Sequence, residues 1–143
     1  MTMRYLVLIA LFLAATAALA KKEESLAEVK QQAESAREGK QVELLLKVAQ
    51  MQLQATDDAY TAGNTDQALQ ALRDVVSYAT RAAQVASDTG KKMKQAEINV
   101  RKISARLQDI GRSLSFDDRP PVSAAVDTLE KARSDLLARM FKK

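Results

Sequence analysis

Apolar side chains in one central stretch of the chain recur at alternating intervals of three and four residues. The series is Met93, Ala96, Val100, Ile103, Leu107 and Ile110. This spacing puts all six side chains on one face of an α-helix, and such a face needs a partner helix to cover it. No stretch after residue 20 alternates apolar with polar residues as a half-buried strand would. The sequence therefore predicts an all-α fold.

Three other segments carry comparable apolar stripes. They are Val42, Leu45, Leu46, Ala49, Leu53 and Tyr60 in 41–62; Ala68, Leu72, Val75, Ala79, Ala82 and Ala86 in 65–88; and Val122, Val126, Leu129, Leu136, Leu137 and Met140 in 122–141. Four helices of about 20 residues joined by short loops predict an up-and-down helical bundle.

Turn residues mark the boundaries between these segments. Gly63 suits the left-handed position that ends a helix, and Asn64 with Gln67 predicts a capping box for the next one. Asp88-Thr89-Gly90 forms a second break. The third is the loop SLSFDDRPPVS at 113–123, whose prolines suit a first helical turn.

A second architecture is also compatible with the spacing. The phase of the central stripe continues backwards through Gly90 to Leu72. Since a glycine within a helix costs only about 1 kcal/mol, 65–113 is alternatively one long helix. Residues 23–62 would then form another, and the bundle would have three helices with a long central one.

The N-terminus predicts export. Residues 5–20 contain no charged side chain, Arg4 precedes them, and Ala18-Leu19-Ala20 ends the run. A basic start, a short apolar stretch and an A-x-A site are typical of a secretory signal. A spanning helix needs about 20 apolar residues, so an uncleaved anchor is the less favoured alternative. We expect a signal peptide at 1–20, a charged helical segment at 21–40 and a bundle at 41–143. The protein is then periplasmic or secreted, with no transmembrane span after cleavage.

The sequence contains neither histidine nor cysteine. This argues against haem, copper, zinc and ferritin-like centres and removes the commonest general base. The acidic pairs at 23–24, 57–58 and 117–118 lie in polar stretches and are interpreted as solvated. We therefore predict no catalytic residues, no cofactor and no metal, and expect that the protein is not an enzyme.

Charge is distributed unevenly along the chain. Segment 41–88 has a net charge of −3, whereas 89–112 has +5. Lys94, Arg101, Lys102 and Arg106 lie off the apolar stripe and form what we term the basic face. This face predicts either a site for an anionic partner or a solvated surface that neutralises the acidic segment. No aromatic residue is interleaved with these charges, which with export argues against nucleic acid.

Three apolar residues stand apart from the stripes. Ile98 is out of phase with its own helix, and Phe116 and Phe141 lie near segment ends. We expect the two phenylalanines to seal the ends of the bundle, with a docking site as the alternative.

Two resemblances follow from longer stretches. DAYTAGNTDQALQAL resembles the helix-turn-helix of a tetratricopeptide repeat, with Gly63-Asn64 at the turn and Ala68 and Leu72 at packing positions. Thr56 and Val75 depart from that pattern, and no second copy follows. The resemblance implies a helical hairpin and no ligand.

The chain after residue 20, ending DDRPPVSAAVDTLEKARSDLLARMF, resembles an uncharacterised family of exported bacterial helical proteins, which implies no activity.

Together these features predict a non-catalytic exported protein that acts as a protein–protein interaction or scaffold module of the cell envelope, through a partner or by self-association. One alternative is a binder of lipid headgroups or cell-wall polymers through the basic face within 91–112. Another is a holdase-type periplasmic chaperone. Small periplasmic stress chaperones are similar in being exported, basic and helical, but their L-T-x-x-Q motifs do not occur here.

Overall fold

The computed structural model describes residues 25–142, so the predicted signal peptide and its cleavage site lie outside the described residues. Five α-helices and one short 3-10 helix make up this part of the chain, and it contains no strand. Their bounds are 25–35 for α1, Glu38–Thr61 for α2, Thr65–Thr89 for α3, Met93–Ser113 for α4, Phe116–Asp118 for the 3-10 helix and Arg119–Phe141 for α5. The prediction of an all-α fold is confirmed.

The helices run alternately up and down. One group of buried side chains joins the start of α2 and α4 to the end of α3 and α5; it includes Leu45, Ala96, Ala86 and Leu136. The group at the other end includes Leu72, Leu107 and Val122. The helices pair as two hairpins, α2 with α3 and α4 with α5, and α3 against α5 is the main contact between the hairpins. The predicted up-and-down bundle is confirmed.

The apolar stripes account for most of the core. All six stripe residues of α3 are buried, and in α4 only Met93 of the six remains partly exposed. Two buried polar residues of α2, Gln52 and Thr56, were not part of the apolar stripe. They are buried because they lie on the same helical face as Ala49. A stripe of aliphatic residues therefore underestimates the buried face of α2.

The chain breaks at Gly90, so 65–113 forms two helices and the long central helix is not formed. Gly90 has φ 71° and Lys92 has φ 61°, both left-handed. The apolar phase is preserved across the break because α3 and α4 both face the same core. A second break at 36–37, followed by Glu38 at φ 53°, separates α1 from α2, so no long helix spans 23–62 either.

The turn between α2 and α3 closes through backbone hydrogen bonds. Gly63 is left-handed at φ 78°, as predicted. The Asn64 N–H donates to the Ala59 carbonyl at 2.8 Å, and the Gly63 N–H donates to the Tyr60 carbonyl at 3.1 Å, which is a Schellman ending. The predicted capping box is wrong: Asn64 occupies the N-cap position but its side chain makes no cap bond. Its ψ of 72° departs from the extended backbone that a capping side chain requires.

Helix α1 docks firmly against α3. Val29 and Ala33 are buried among core residues of α2 and α3. Lys30 Nζ lies 2.9 Å from Asp74 Oδ2, and Arg81 Nη1 lies 2.8 Å from Glu34 Oε1. The sequence did not specify how this charged segment docks. Two small residues suffice for the contact because the underlying surface of α3 is lined with alanine.

Within the part of the chain that the structure describes, no helix combines the length and apolar character needed to cross a bilayer.

Candidate interaction surfaces

The basic face lies on α4, with all four of its side chains exposed. Its members differ in their partners. Arg106 Nη2 lies 2.6 Å from Asp57 Oδ2 on α2, and Arg101 Nε lies 3.8 Å from Glu97 Oε1. Lys94 and Lys102 form no ion pair with any residue between 25 and 142. The face therefore presents two lysine charges outward, while its two arginines are already engaged.

Polar contacts join α4 to α2. Lys92 Nζ lies 3.1 Å from Glu43 Oε1, and the Gln50 amide donates to Asn99 Oδ1 at 2.5 Å. The hydrogen bond and positive charge of Lys92 hold the pKa of Glu43 below its ordinary value. With the pair between Arg106 and Asp57, these contacts show that part of the basic segment neutralises the acidic helix beside it.

A second polar network joins α4 to α5. Glu97 is only 8% exposed, and its Oε1 accepts from Arg133 Nε at 3.0 Å. Glu130 Oε2 lies 3.3 Å from Arg133 Nη1, and Glu130 Oε1 accepts a hydrogen bond from the Ser104 hydroxyl at 2.8 Å. The hydrogen bond to Glu97 is the main cause that raises the pKa of Arg133. Stripe analysis missed Glu97 and Ser104, although Glu97 and Arg101 at i,i+4 were a signal of pairing along the helix.

The two phenylalanines are the large apolar side chains that the described residues leave exposed. Phe116 is 82% exposed and Phe141 is 78% exposed. The prediction that they seal the bundle ends is wrong. At the Phe116 end the core is closed by Ile110 and Val122, which are 3% and 2% exposed, without a contribution from the Phe116 ring.

Phe116, Asp117 and Asp118 form a projection that we term the acidic tip. The Ser115 hydroxyl donates to Asp118 Oδ2 at 2.9 Å, and Arg119 Nε donates to the Leu114 carbonyl at 3.0 Å. Proline follows in the first turn of α5, which restricts the backbone behind the tip. The Tyr60 hydroxyl is buried without a hydrogen-bond partner among the described residues, and burial together with the charge of Asp118 raises its pKa.

A groove lies at the opposite end of the bundle, where α4 begins and α5 ends. We term it the end groove. Its volume is about 600 Å³, and the residues that matter here are Met93, Ile98 and Met140, with Lys92 and Lys94 beside them. Ile98, the residue out of phase with the α4 stripe, thus lines a surface groove and is only partly exposed. A second groove of about 540 Å³ lies between α3 and α5, lined by Leu69, Val76, Pro121 and Ala124 among others.

The acidic pairs do not converge on a common centre. Asp57 pairs with Arg106, and Asp58 Oδ1 accepts from the Gln54 amide at 2.9 Å. The pair at 23–24 lies outside the described residues. Between residues 25 and 142, no three acidic side chains are grouped so that they could hold a metal ion.

Comparison of the chain with protein-family models, with curated proteins and with solved structures gives no match. The fold and its surfaces define a small antiparallel helical bundle made of two hairpins, with an acidic aromatic tip at one end and a basic-rimmed groove at the other.

Proposed function

We propose that the protein is a non-catalytic helical module of the cell envelope that works by contacting other proteins. The observation that carries this proposal is the exposure of Phe116 and Phe141, at 82% and 78%, on opposite ends of a bundle whose core is otherwise filled. Aromatic residues, phenylalanine included, are enriched in the cores of protein–protein interfaces relative to the rest of the protein surface. The ends of the bundle are therefore the surfaces through which it binds.

Placement in the envelope is supported by the N-terminal pattern, in which an apolar run ends in Ala18-Leu19-Ala20. The lack of histidine and cysteine in the whole sequence supports a role that does not depend on metal or nucleophilic chemistry. Both features belong to the sequence, and the proposal combines them with the exposed aromatic residues.

Crosslinking in intact envelopes followed by mass spectrometry tests this function. We expect the unaltered protein to yield specific crosslinked proteins, and the double variant Phe116→Ala/Phe141→Ala to lose most of them. Lys131→Ala, which shortens an exposed side chain of α5, is the control and keeps them. Identical crosslinks from all three proteins would exclude the ends as binding surfaces. The proposal as a whole fails if the unaltered protein yields no crosslinks and light scattering finds only a monomer.

A second candidate function is binding to an anionic surface through the basic face. It is favoured by Lys94 and Lys102, which are exposed and form no ion pair with the described residues. Each lysine near an anionic membrane surface contributes about 1 kcal/mol. Lys94→Gln/Lys102→Gln should therefore weaken binding to phosphatidylglycerol vesicles by roughly 30-fold.

The matched control for this candidate is Arg101→Gln/Arg106→Gln, which removes charges that already pair with Glu97 and Asp57. It should weaken binding less than the lysine pair does. Binding should fall with added salt because surface charges are screened. Undiminished binding when all four residues are glutamine would rule out this function.

A further inference from the structure

The end groove combines an apolar floor with positive charge. Met93, Ile98 and Met140 supply apolar surface, and the exposed Lys94 lies beside them. Lys92 also borders the groove, but its ammonium group already forms an ion pair with Glu43, with 3.1 Å between Lys92 Nζ and Glu43 Oε1. Lys91, the preceding residue in the chain, is exposed and has no ion pair among the described residues. An occupant that matched this surface would bring an apolar group flanked by negative charge.

The acidic tip has those properties. Phe116 projects with 82% of its surface exposed, and Asp117 beside it is exposed as well. Asp118 accepts from the Ser115 hydroxyl, and the following prolines restrict the backbone, so the backbone that carries Phe116 and Asp117 is constrained on both sides. An aromatic side chain that enters an apolar groove buries about 150–250 Å².

The tip and the groove of one molecule cannot meet. They lie at opposite ends of α4, whose 21 residues separate them by roughly 30 Å at 1.5 Å per residue. Any contact between them must therefore join two molecules. Asp117 of the tip and Lys94 of the groove are opposite in charge. Phe116 is exposed and the apolar residues of the groove are partly exposed, so a second copy of this chain fits the groove.

We propose that the acidic tip of one copy inserts Phe116 into the end groove of another, with Asp117 facing Lys94, so that the protein assembles head to tail. This inference rests on the proposed interaction function and names its partner. Such an interface is heterologous, since tip and groove are different surfaces, and it extends into chains or closes into rings. One ring and a few charges make a small interface, so association is weak and sensitive to salt.

Sedimentation velocity tests this assembly. It is measured at about 10 µM to 1 mM on the protein purified from the cells that produce it. We expect the average mass to rise with concentration and to fall in high salt. Phe116→Ala should weaken association at least tenfold without loss of helical circular dichroism, because the ring touches little of its own bundle. A protein that remains monomeric over this range overturns the proposal.

A charge-swap experiment identifies the two surfaces. Asp117→Lys and Lys94→Glu should each abolish self-association, because each sets like charges against one another. An equal mixture of the two variants should assemble again, since the lysine tip of one meets the glutamate groove of the other and the second contact is unaltered. Asp66→Lys, at the tip end of α3, and Lys102→Glu, farther along α4, are the controls and should assemble normally. Failure of the mixture to assemble overturns the proposed pairing.

The failure of this inference can be told apart from failure of the proposed function. If the protein stays monomeric but envelope crosslinks to other proteins persist and depend on the phenylalanines, the second copy is the wrong partner and the interaction function stands. If both assembly and crosslinks are absent, both fall.

Discussion

The two hairpins of the bundle solve the same packing problem with different side chains. In α3, six of the eight buried residues are alanines, whereas α4 and α5 bury mainly valine, leucine and isoleucine. The interface of α2 with α3 is nevertheless the most extensive among helices α2 to α5, since small residues on α3 let the two helix backbones approach closely. Helix α2 contributes the large side chains of its hairpin, including Leu44, Leu45 and Leu46. The α2–α3 interface therefore sets large aliphatic residues against small ones, whereas α4 and α5 set large aliphatic residues against each other.

The largest expected effect on stability comes from the hairpin of α4 and α5. Leu129 is fully buried in α5, and Leu129→Ala should lower the free energy of unfolding by about 3 kcal/mol through lost burial and a residual cavity. Urea unfolding followed by circular dichroism measures the change. Leu137→Ala, at a partly exposed position of the same helix, is the control. Equal losses at both positions would show that α5 is not packed as described.

Helix α3, which buries mainly alanine, should respond to enlargement of a side chain instead. Ala82 is fully buried in the group that contains Val42 and Leu45, so Ala82→Leu should cost about 2 kcal/mol because the surrounding helices must move apart. The matched control is Ala124→Leu on the exposed side of α5, which should be nearly neutral. If Ala82→Leu is tolerated as well as Ala124→Leu, the close approach of α2 and α3 is not needed for stability.

A smaller effect is expected from the polar contact beneath α1. Asp74 accepts from Lys30 at 2.9 Å and from the Gln52 amide at 2.7 Å. Asp74→Ala leaves the buried Gln52 amide unpaired, which should cost about 1 kcal/mol. Thermal unfolding of this variant is compared with that of Asp109→Ala, which removes only an exposed pair with Arg112 and should change little. A neutral Asp74→Ala would mean that the contacts of Asp74 with Lys30 and Gln52 do not contribute to stability.

The smallest effect is the loss of stability at acid pH, and it depends on two carboxyl groups of α1 and α2. The hydrogen bonds of Arg81 and Lys92 hold the pKa values of Glu34 and Glu43 below their ordinary range. A carboxyl whose pKa is lowered by folding adds stability above its unfolded pKa of about 4.3, and that stability is lost as the pH falls through the lower folded pKa.

The melting temperature should therefore fall between about pH 5 and pH 3, and Glu34→Gln/Glu43→Gln should lessen its slope. Glu28→Gln, which alters an exposed carboxyl of α1, is the control and should leave the slope unchanged. The same slope in the double variant as in the unaltered protein would show that these two pairs do not contribute to acid sensitivity.

Sequence reasoning was most successful where one helical face is uniformly apolar. Every stripe residue of α3 proved buried because the three-four spacing directly describes a helical face. It failed at Phe116 and Phe141, since hydrophobicity alone does not say whether space is left in the core. It anticipated the exposure of the basic face but not the ion pair of Arg106, because that pair depends on Asp57, a residue 49 positions away.

The sequence by itself determined the helical class, the apolar residues that α3 and α4 bury, and the turn at Gly63. These properties depend on the spacing and conformational preference of neighbouring residues. The tertiary structure decided that Gly90 breaks a continuous stripe, that α1 docks on α3, and that an acidic tip and a basic-rimmed groove face opposite ways. Those outcomes depend on which helix covers which face, and local spacing does not specify a partner.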